Sequence, residues 1–226
     1  MIFGGMQKSS TIDFPGVISC VLFTRGCDMN CFYCHNRDLI SRGGSCVSEA
    51  IIWDFLERRR GLLDGVVLSG GEPTLQRDLP EVLRRIRGMG YKTKLDTNGQ
   101  RPGAVISLWE AGLLDYVALD MKALAADYPS VTGQDGSAAI KTAKALQWAS
   151  AAYELRTTLY PGFTIAQLQE LLAAFPPVPR WRLNYFRPPE LFRPQDAPLL
   201  RRPALTPAAI AAAKSSLVCV QPNLLF

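Results

Sequence analysis

Three cysteines stand close together in the segment RGCDMNCFYCHN, near the start of this 226-residue chain. Cys27, Cys31 and Cys34 form a C-x3-C-x2-C array, and thiolates are soft ligands that suit iron–sulfur clusters or zinc. Three thiolates on one loop can bind three irons of a cubane cluster and leave the fourth iron without a protein ligand, unlike the usual four-cysteine arrangement. The array therefore predicts a 4Fe–4S cluster with one iron open to a chelating substrate.

A zinc site is the alternative that the same cysteines leave open. Zinc normally takes four tetrahedral ligands, often as two separated pairs, and the chain has no second pair of this kind. His35 is a candidate fourth ligand, although its adjacency to Cys34 makes tetrahedral closure awkward. We expect Cys20 to be a small buried residue within a strand, and we assign no chemistry to Cys46 or Cys219.

The elements around the cysteine loop alternate between strand and helix patterns. The segment 18–24, rich in β-branched and aromatic residues, predicts a buried strand directly before the loop. Further strands are predicted at 66–68, 92–95, 116–120, 154–159 and 182–186, and helices at 48–60, 79–89, 102–111, 137–151 and 164–175. Such alternation indicates parallel strands with right-handed crossovers. The predicted fold is α/β, a partial barrel of about six β/α units with a short C-terminal extension.

The chain length fits one domain, and we expect a single domain over residues 1–226. Its core is predicted at about 16–188, and residues 189–226 form the extension. Within the extension, Thr206 to Lys214 predicts a short helix with Pro207 in its first turn, and Leu217 to Val220 predicts a last strand.

Composition places the chain among globular proteins, with 48% hydrophobic and 20% charged residues. No apolar run is long enough to span a bilayer, and the first residues lack the pattern of a signal peptide, so we expect a cytoplasmic protein. Six cysteines in that setting favour metal or redox chemistry over disulfides. The net charge of +5 is compatible with an acidic partner and equally with an ordinary solvated surface.

Several segments, in one order with the cysteine loop, resemble the radical S-adenosylmethionine superfamily. They are STIDFPG (10–16), LSGGEPTLQ (68–76), KLDTNG (94–99), YVALDMKA (116–123) and ELRTTLYPG (154–162). Within the superfamily the chain is most similar to activating enzymes of glycyl radical enzymes, in particular to the anaerobic ribonucleoside-triphosphate reductase activating protein family. The resemblance implies reductive cleavage of S-adenosylmethionine to a 5′-deoxyadenosyl radical, which takes a hydrogen atom from a glycine of a partner enzyme.

The same segments supply candidate residues for binding S-adenosylmethionine. Gly70 and Gly71 end a strand and let the backbone approach a ligand closely. Glu72 is placed to receive the ligand ammonium, and the charge of Lys122 suits the ligand carboxylate. The full set of cofactor-binding candidates is Tyr33, Gly70, Gly71, Glu72, Asp96, Asn98, Asp120, Lys122 and Arg156. No side chain is expected to be catalytic, because the cluster and its substrate carry the chemistry.

The resemblance also implies two finer features of the site. A monovalent cation is predicted on Asp96, Thr97, the carbonyl of Ala118 and Asp120, with helix capping as the alternative role of the two carboxylates. Tyr33 matches an aromatic position that packs beside the adenine. Where some relatives have a histidine after the sixth strand, this chain has NYFRP, and Phe186 is the candidate for stacking on adenine instead.

The implied partners are a glycyl radical enzyme, expected to be anaerobic ribonucleotide reductase, and an electron donor of the flavodoxin or ferredoxin type. Neither a membrane nor a nucleic acid is expected. Two alternatives stay open at this point. One is a radical S-adenosylmethionine enzyme that acts on a small molecule or a tRNA base, and the other is a zinc or nucleic-acid-binding module without enzymatic activity.

Overall fold

The computed structural model describes residues 1–226 and forms a single eight-stranded sheet. The strands are β1 (Phe3–Ser10), β2 (Ser19–Thr24), β3 (Gly65–Gly70), β4 (Lys92–Thr97), β5 (Tyr116–Asp120), β6 (Tyr153–Leu159), β7 (Trp181–Tyr185) and β8 (Leu224–Leu225). The helices are α1 (Glu49–Arg58), α2 (Leu79–Gly88), α3 (Pro102–Glu110), α4 (Tyr128–Thr132), α5 (Ser137–Trp148), α6 (Ile165–Ala173), α7 (Ala197–Leu200) and α8 (Pro207–Val220).

The strands lie in the sheet in the same order as in the chain, from β1 to β8. β2 through β8 are parallel, and β1 pairs with β2 in the antiparallel direction. Right-handed crossovers between sequential parallel strands place all the connecting helices on one side of the sheet, and such a sheet curves into a barrel. β1 and β8 do not pair with each other, so the barrel is partial, and the predicted fold class is confirmed.

The helix ends agree with the signals in the sequence. The Ser48 side chain accepts a hydrogen bond from the backbone N–H of Ile51 and caps α1. Thr164 caps α6 in a capping box with Gln167. The two hydroxyls satisfy backbone donors that the first turn of a helix leaves free, which explains why both helices begin where expected.

Two parts of the chain differ from the sequence-based prediction. β1 was not predicted, because the segment FGGMQKSS contains two glycines and its apolar and polar residues do not alternate. The strand predicted at Leu217 to Val220 is wrong, since these residues form the last turn of α8, which extends well past Lys214. Leu217 is fully buried in the main core, so a helical contact satisfies the apolar run that suggested a strand, and the short β8 forms further on instead.

The two faces of the sheet have different chemistry. Leu68, Leu95, Leu119 and Leu155 belong to the main hydrophobic core. The opposite, concave face carries a small apolar cluster of Phe14, Val17, Val21 and Val67, and beside it charged residues of β4, β5 and β6. Side chains alternate between the two faces of a strand, so the same strands supply both the core and the charged interior.

Residues after 188 are part of the packed structure. Ile210 and Leu217 of α8 and Leu224 of β8 are buried in the same core as the barrel strands. The division into a core at 16–188 and an extension stays a prediction. No helix has the combination of length and apolar character that crossing a bilayer requires.

Candidate active site on the concave face

A cleft of about 910 Å³ lies on the concave face of the sheet. It brings together residues from the cysteine loop and from the ends of β3, β4, β5 and β6. The residues expected at the site that line it are Cys27, Cys31, Cys34, Tyr33, Gly70, Gly71, Glu72, Asp96, Thr97, Asn98, Asp120, Lys122 and Arg156. Ala118, fully buried within β5, is the one candidate that does not line the cleft.

The three cysteines of the array are free thiols at one edge of this cleft. Burial raises the pKa of Cys27 to about 12 and that of Cys31 to about 11, and it also raises the pKa of Cys34. The thiols are therefore protonated until a metal displaces the protons, so metal uptake at this site releases protons.

No three His, Cys, Asp or Glu side chains are arranged around a single ion position. A cubane cluster does not require that arrangement, because each thiolate binds a different iron. The donor set of three thiolates therefore fits an iron–sulfur cluster better than a four-ligand zinc site. His35, the alternative zinc ligand, is exposed.

The cysteine loop is fastened by backbone hydrogen bonds on both sides. Gly26 N–H donates to the Leu39 carbonyl at 2.8 Å and Cys27 N–H to the Ile40 carbonyl at 3.0 Å. Asn30 N–H donates to the carbonyl of Thr132 in α4 at 2.8 Å. These hydrogen bonds anchor the loop that carries the thiols on both sides, which favours a defined spacing of the sulfur atoms.

Arg25 is a buried residue that sequence reasoning missed. Its guanidinium, 3% exposed, donates to the backbone carbonyls of Asp38, Ser41, Gly43 and Ser45 at 2.5–3.1 Å. A buried charge is stable only when its donors are satisfied, and here the chain returning from the cysteines provides the acceptors. No sequence pattern indicates this role, because the partners are main-chain atoms.

Gly70 and Gly71 allow a close approach, but the approach is to the protein itself. Gly70 has φ +113°, and a Cβ at Gly71 would lie 2.2 Å from the Gly26 carbonyl oxygen. Gly71 N–H donates to Thr24 and Glu72 N–H to Gly26, each at 2.8 Å. The two glycines therefore let the end of β3 pack against the chain just before Cys27, and their close approach to a ligand stays a prediction.

Glu72 is fully buried beneath the cleft. Its Oε1 accepts hydrogen bonds from the Thr74 N–H and hydroxyl and from the Thr97 hydroxyl, at 2.6–3.1 Å. Its Oε2 accepts one, from the Asn98 N–H at 2.7 Å. Burial raises the pKa of Glu72, and these hydrogen bonds oppose the rise. Oε2 thus retains capacity for one more donor, and its predicted role toward an ammonium stays a prediction.

A chain of ion pairs crosses the cleft from β4 to the end of β5. Arg156 Nη1 lies 3.0 Å from Asp96 Oδ2, and Arg156 Nε lies 2.9 Å from Asp120 Oδ1. Lys94 Nζ lies 2.5 Å from Asp96 Oδ1, and Lys122 Nζ lies 3.1 Å from Asp120 Oδ2. The spacing of Lys94 and Asp96, two residues apart on one strand, places both on the concave face.

These contacts set the protonation of the cleft. Burial by itself would raise the pKa of Asp120, but the positive charges of Arg156 and Lys122 outweigh the effect of burial. The net result is a pKa of about 2. The pKa of Asp96 is lowered against burial by Arg156 and Lys94. Burial lowers the pKa of Lys122, yet Asp120 and neighbouring groups hold it well above its ordinary value. The cleft therefore carries fixed charges over the whole neutral range.

The monovalent cation stays a prediction, and the ion pairs weigh against it. All four carboxylate oxygens of Asp96 and Asp120 contact cationic nitrogens. A metal cation there would have to displace Lys94, Lys122 or Arg156 from a charge-assisted hydrogen bond.

Tyr33 lines the cleft and belongs to a stack of buried aromatic rings. The Tyr33 ring stacks on Tyr160 with centroids 5.1 Å apart, and Tyr160 stacks on Phe163 at 4.8 Å. The Tyr33 hydroxyl is buried without a hydrogen-bond partner. Phe186 is partly buried and lines the cleft. The adenine contacts of Tyr33 and Phe186 stay predictions.

The fold and the cysteine site define a class of protein. The family model described as the Radical SAM superfamily matches residues 21–175, more than half of the chain. The chain therefore belongs to the radical S-adenosylmethionine superfamily. Within it, the chain is similar to activating enzymes of glycyl radical enzymes, as the sequence motifs indicated.

Two curated relatives carry this similarity. One is a Methanocaldococcus jannaschii protein whose name assigns it provisionally to the glycyl-radical enzyme activating enzymes. It is 41% identical to this chain over 125 residues, which are 54% of this chain and 50% of the relative. The pyruvate formate-lyase 1-activating enzyme of Escherichia coli K12 is 32% identical over 168 residues, 70% of this chain and 67% of that enzyme. The chain thus spans about half the length of the first relative.

Among solved structures, Streptococcus suis SuiB bound to S-adenosylmethionine has a TM-score of 0.65 at 18% identity, covering 88% of this chain and 48% of that chain. At such identity the likeness shows a shared fold. A 4Fe–4S cluster and S-adenosylmethionine are the cofactors characteristic of the superfamily, so both predicted cofactors are confirmed at the level of the family. The reading of the chain as a zinc or nucleic-acid-binding module is not supported.

Proposed function

We propose that this protein cleaves S-adenosylmethionine reductively and generates a glycyl radical on a partner enzyme. The observation that supports it best is the single cleft in which three free thiols face the charged network of Asp96, Arg156, Asp120 and Lys122. When bound, a reduced 4Fe–4S cluster on Cys27, Cys31 and Cys34 supplies the electron that splits the sulfonium into methionine and a 5′-deoxyadenosyl radical.

The side chains of the cleft bind and orient the substrate in this proposal. Lys122 presents a permanent positive charge to the methionine carboxylate, held in position by Asp120 at 3.1 Å. Glu72 offers Oε2 to the ammonium, and the Thr74 and Thr97 hydroxyls that donate to Oε1 orient the carboxylate and oppose the rise in its pKa that burial causes. Asn98 donates to Asp28 Oδ1 at 2.7 Å and so links the β4 end to the cysteine loop.

In this proposal Tyr33 helps to exclude water from the radical. The Tyr33 ring stacks on Tyr160 and Tyr160 stacks on Phe163, and Phe32 packs edge-on against Tyr33 and Tyr160, so buried rings hold Tyr33 in place beside the cleft. A dry site protects a reactive carbon radical from side reactions until its hydrogen donor arrives.

A glycine on a protein is the hydrogen donor in this proposal. Its support is the similarity to activating enzymes, together with a cleft that the partial barrel leaves open between β1 and β8. An open side admits a loop of a large partner. The finer assignment to anaerobic ribonucleotide reductase rests on the STIDFPG segment and on the CHN sequence after the third cysteine. A flavodoxin- or ferredoxin-type donor and a cytoplasmic location belong to the same proposal.

The test is anaerobic. Reconstituted and reduced protein is mixed with S-adenosylmethionine and with each glycyl radical enzyme of the source organism, and electron paramagnetic resonance spectra are recorded. A glycyl doublet on the partner, absent with the Cys31→Ala variant, is the expected result. If no partner gives the doublet while a small molecule or tRNA stimulates release of 5′-deoxyadenosine, the radical chemistry stands and the glycyl partner is wrong.

A further inference from the structure

A second cavity, of about 550 Å³, lies outside the cleft, between α2 and α3. Four arginines line it, Arg42, Arg77, Arg84 and Arg101, and no aspartate or glutamate does. Its floor is apolar, formed by residues that include Leu75, Leu79, Leu108 and Leu113. We call this feature the arginine hollow. Four like charges around one concavity create a positive potential that attracts an anionic partner.

The charges of the arginine hollow are poorly compensated within the chain. Arg42 and Arg77 are both exposed, and neither makes an ion pair or a side-chain hydrogen bond. Arg84 has only a 3.4 Å contact with Glu81, and Arg101 only a 3.9 Å contact with Asp28. The stability of the fold therefore gives no reason to gather these four cations at one place.

The hollow shares a wall with the cysteine loop. Arg42 packs over Gly26, where an added Cβ would lie 3.0 Å from Arg42 Cγ, and Gly26 precedes Cys27 directly. Arg101 reaches Asp28, the residue after Cys27. Gln76, in the lining, donates to the Arg25 carbonyl at 2.7 Å. The hollow therefore borders residues 25–28, the segment that contains Cys27.

A small phosphate ligand fits the hollow less well than a protein. The two buried polar residues in its lining already have partners: the Thr74 hydroxyl donates to Glu72, and the Gln76 amide bonds to Arg25 and Ile2. No buried polar group is left free and aimed into the cavity. The arginines themselves are exposed and spread over three loop positions, Arg42, Arg77 and Arg101, and one position in α2, Arg84, which suits a broad acidic surface.

We propose that the arginine hollow is the docking surface of an acidic one-electron carrier protein that reduces the cluster. The proposal rests on the proposed function, because only a cluster that must be reduced needs such a partner. In this step the carrier loses one electron and the oxidised cluster gains it, with no bond made or broken.

The test uses the Arg42→Glu/Arg77→Glu double variant. Neither side chain has a partner inside the chain, so its replacement breaks no ion pair. The matched control is Arg59→Glu/Lys92→Glu, which makes the same change of charge at the amino-terminal end of the strands, away from the cysteine loop. Neither control residue forms an ion pair, and both are exposed or half-exposed.

Two measurements are made with flavodoxin as the acidic carrier. Bleaching of the oxidised cluster is followed anaerobically after mixing with reduced flavodoxin, and binding of oxidised flavodoxin to the metal-free protein is followed by calorimetry. In the Arg42→Glu/Arg77→Glu variant we expect both the bleaching rate and the affinity for flavodoxin to fall about tenfold or more. We also expect both quantities to depend less steeply on salt concentration, whereas the control variant changes little.

Chemical reduction separates this inference from the proposed function. With dithionite, the double variant is expected to cleave S-adenosylmethionine as fast as the wild type. If flavodoxin reduced the cluster of the double variant at the wild-type rate, the docking surface would be overturned. It would also be overturned if inorganic phosphate or ATP bound tightly in the hollow and left flavodoxin binding and cluster reduction unchanged. Failure of the wild type to cleave S-adenosylmethionine with dithionite would instead overturn the proposed function.

Discussion

Asp196 Oδ2 lies 3.6 Å from Nη2 of Arg37, and the same nitrogen donates a 2.7 Å hydrogen bond to the Cys31 carbonyl. Asp196 is buried and also accepts two hydrogen bonds of 2.8 Å from Arg193. The chain beyond the last long strand is therefore tied to the cysteine loop through one carboxylate. This contact fastens the C-terminal region to the loop that carries the three cysteines.

We predict that Asp196→Asn loosens the cysteine loop. It removes the negative charge that faces Arg37 at 3.6 Å and that accepts the two Arg193 hydrogen bonds, each of a kind that contributes about 1.5–3 kcal/mol. We expect the reconstituted variant to lose iron to a chelator several-fold faster than the reconstituted wild type under anaerobic conditions. The rate of iron loss is measured by absorbance. Asp54→Asn, at an exposed ion pair on α1, is the control and should lose iron at the wild-type rate. Equal rates for Asp196→Asn and wild type would contradict the prediction.

Iron content tests the three-cysteine site directly. Cys31→Ala is expected to bind no complete cluster, whereas Cys46→Ala, at an exposed cysteine outside the array, keeps about four irons per chain. Iron and sulfide analysis with the visible spectrum measures both. A full cluster in the Cys31→Ala protein would refute the ligand assignment.

Lys122→Met is expected to weaken binding of S-adenosylmethionine while the cluster stays intact. The variant removes a buried positive charge that contacts no iron ligand directly, and loss of such a partner costs about 2–5 kcal/mol of binding free energy. Calorimetry on the reconstituted protein measures the affinity. Lys92→Met, an exposed lysine at the start of β4, is the control. Equal affinities in the two variants would mean that the ligand carboxylate is bound elsewhere.

The lowered pKa of Asp120 predicts a dependence of stability on pH. A carboxylate with a pKa of about 2 in the fold, against 3.8 ordinarily, stabilises the fold above pH 4 and loses this contribution as pH falls toward 2. Asp120→Asn is therefore expected to lower the free energy of unfolding by about 2 kcal/mol at pH 6 and by little near pH 2. Urea unfolding across this range measures the difference. A difference that does not change with pH would show that Asp120 titrates normally.

Two glycine substitutions separate a packing requirement from a helix effect. Gly71→Ala places a Cβ against the Gly26 carbonyl, a backbone atom that cannot swing away, and is expected to destabilise the fold by about 1–3 kcal/mol. Gly103→Ala in α3 meets no atom within 4 Å and should stabilise by about 0.5–1 kcal/mol. Urea unfolding compares the two, and equal effects would show that the β3 end has room to move.

The sequence by itself determined the α/β class, the six central parallel strands and the cysteine loop. These features depend on local patterns: apolar periodicity, capping residues such as Ser48 and Thr164, and ligand spacing within one loop. The motifs also supplied Glu72, Asp96 and Asp120 as binding candidates, and all three line one cleft because the carboxyl ends of parallel strands meet at one edge of a sheet.

Only the tertiary structure decided how that cleft is held together. Arg25 contacts main-chain carbonyls, Arg156 joins carboxylates of two other strands, and Asp196 reaches Arg37 across the fold. The position of β1 and the helical state of 217–220 were decided in the same way. Such contacts join residues far apart in the chain, and local propensity carries no information about which distant charge or core surface a segment will meet.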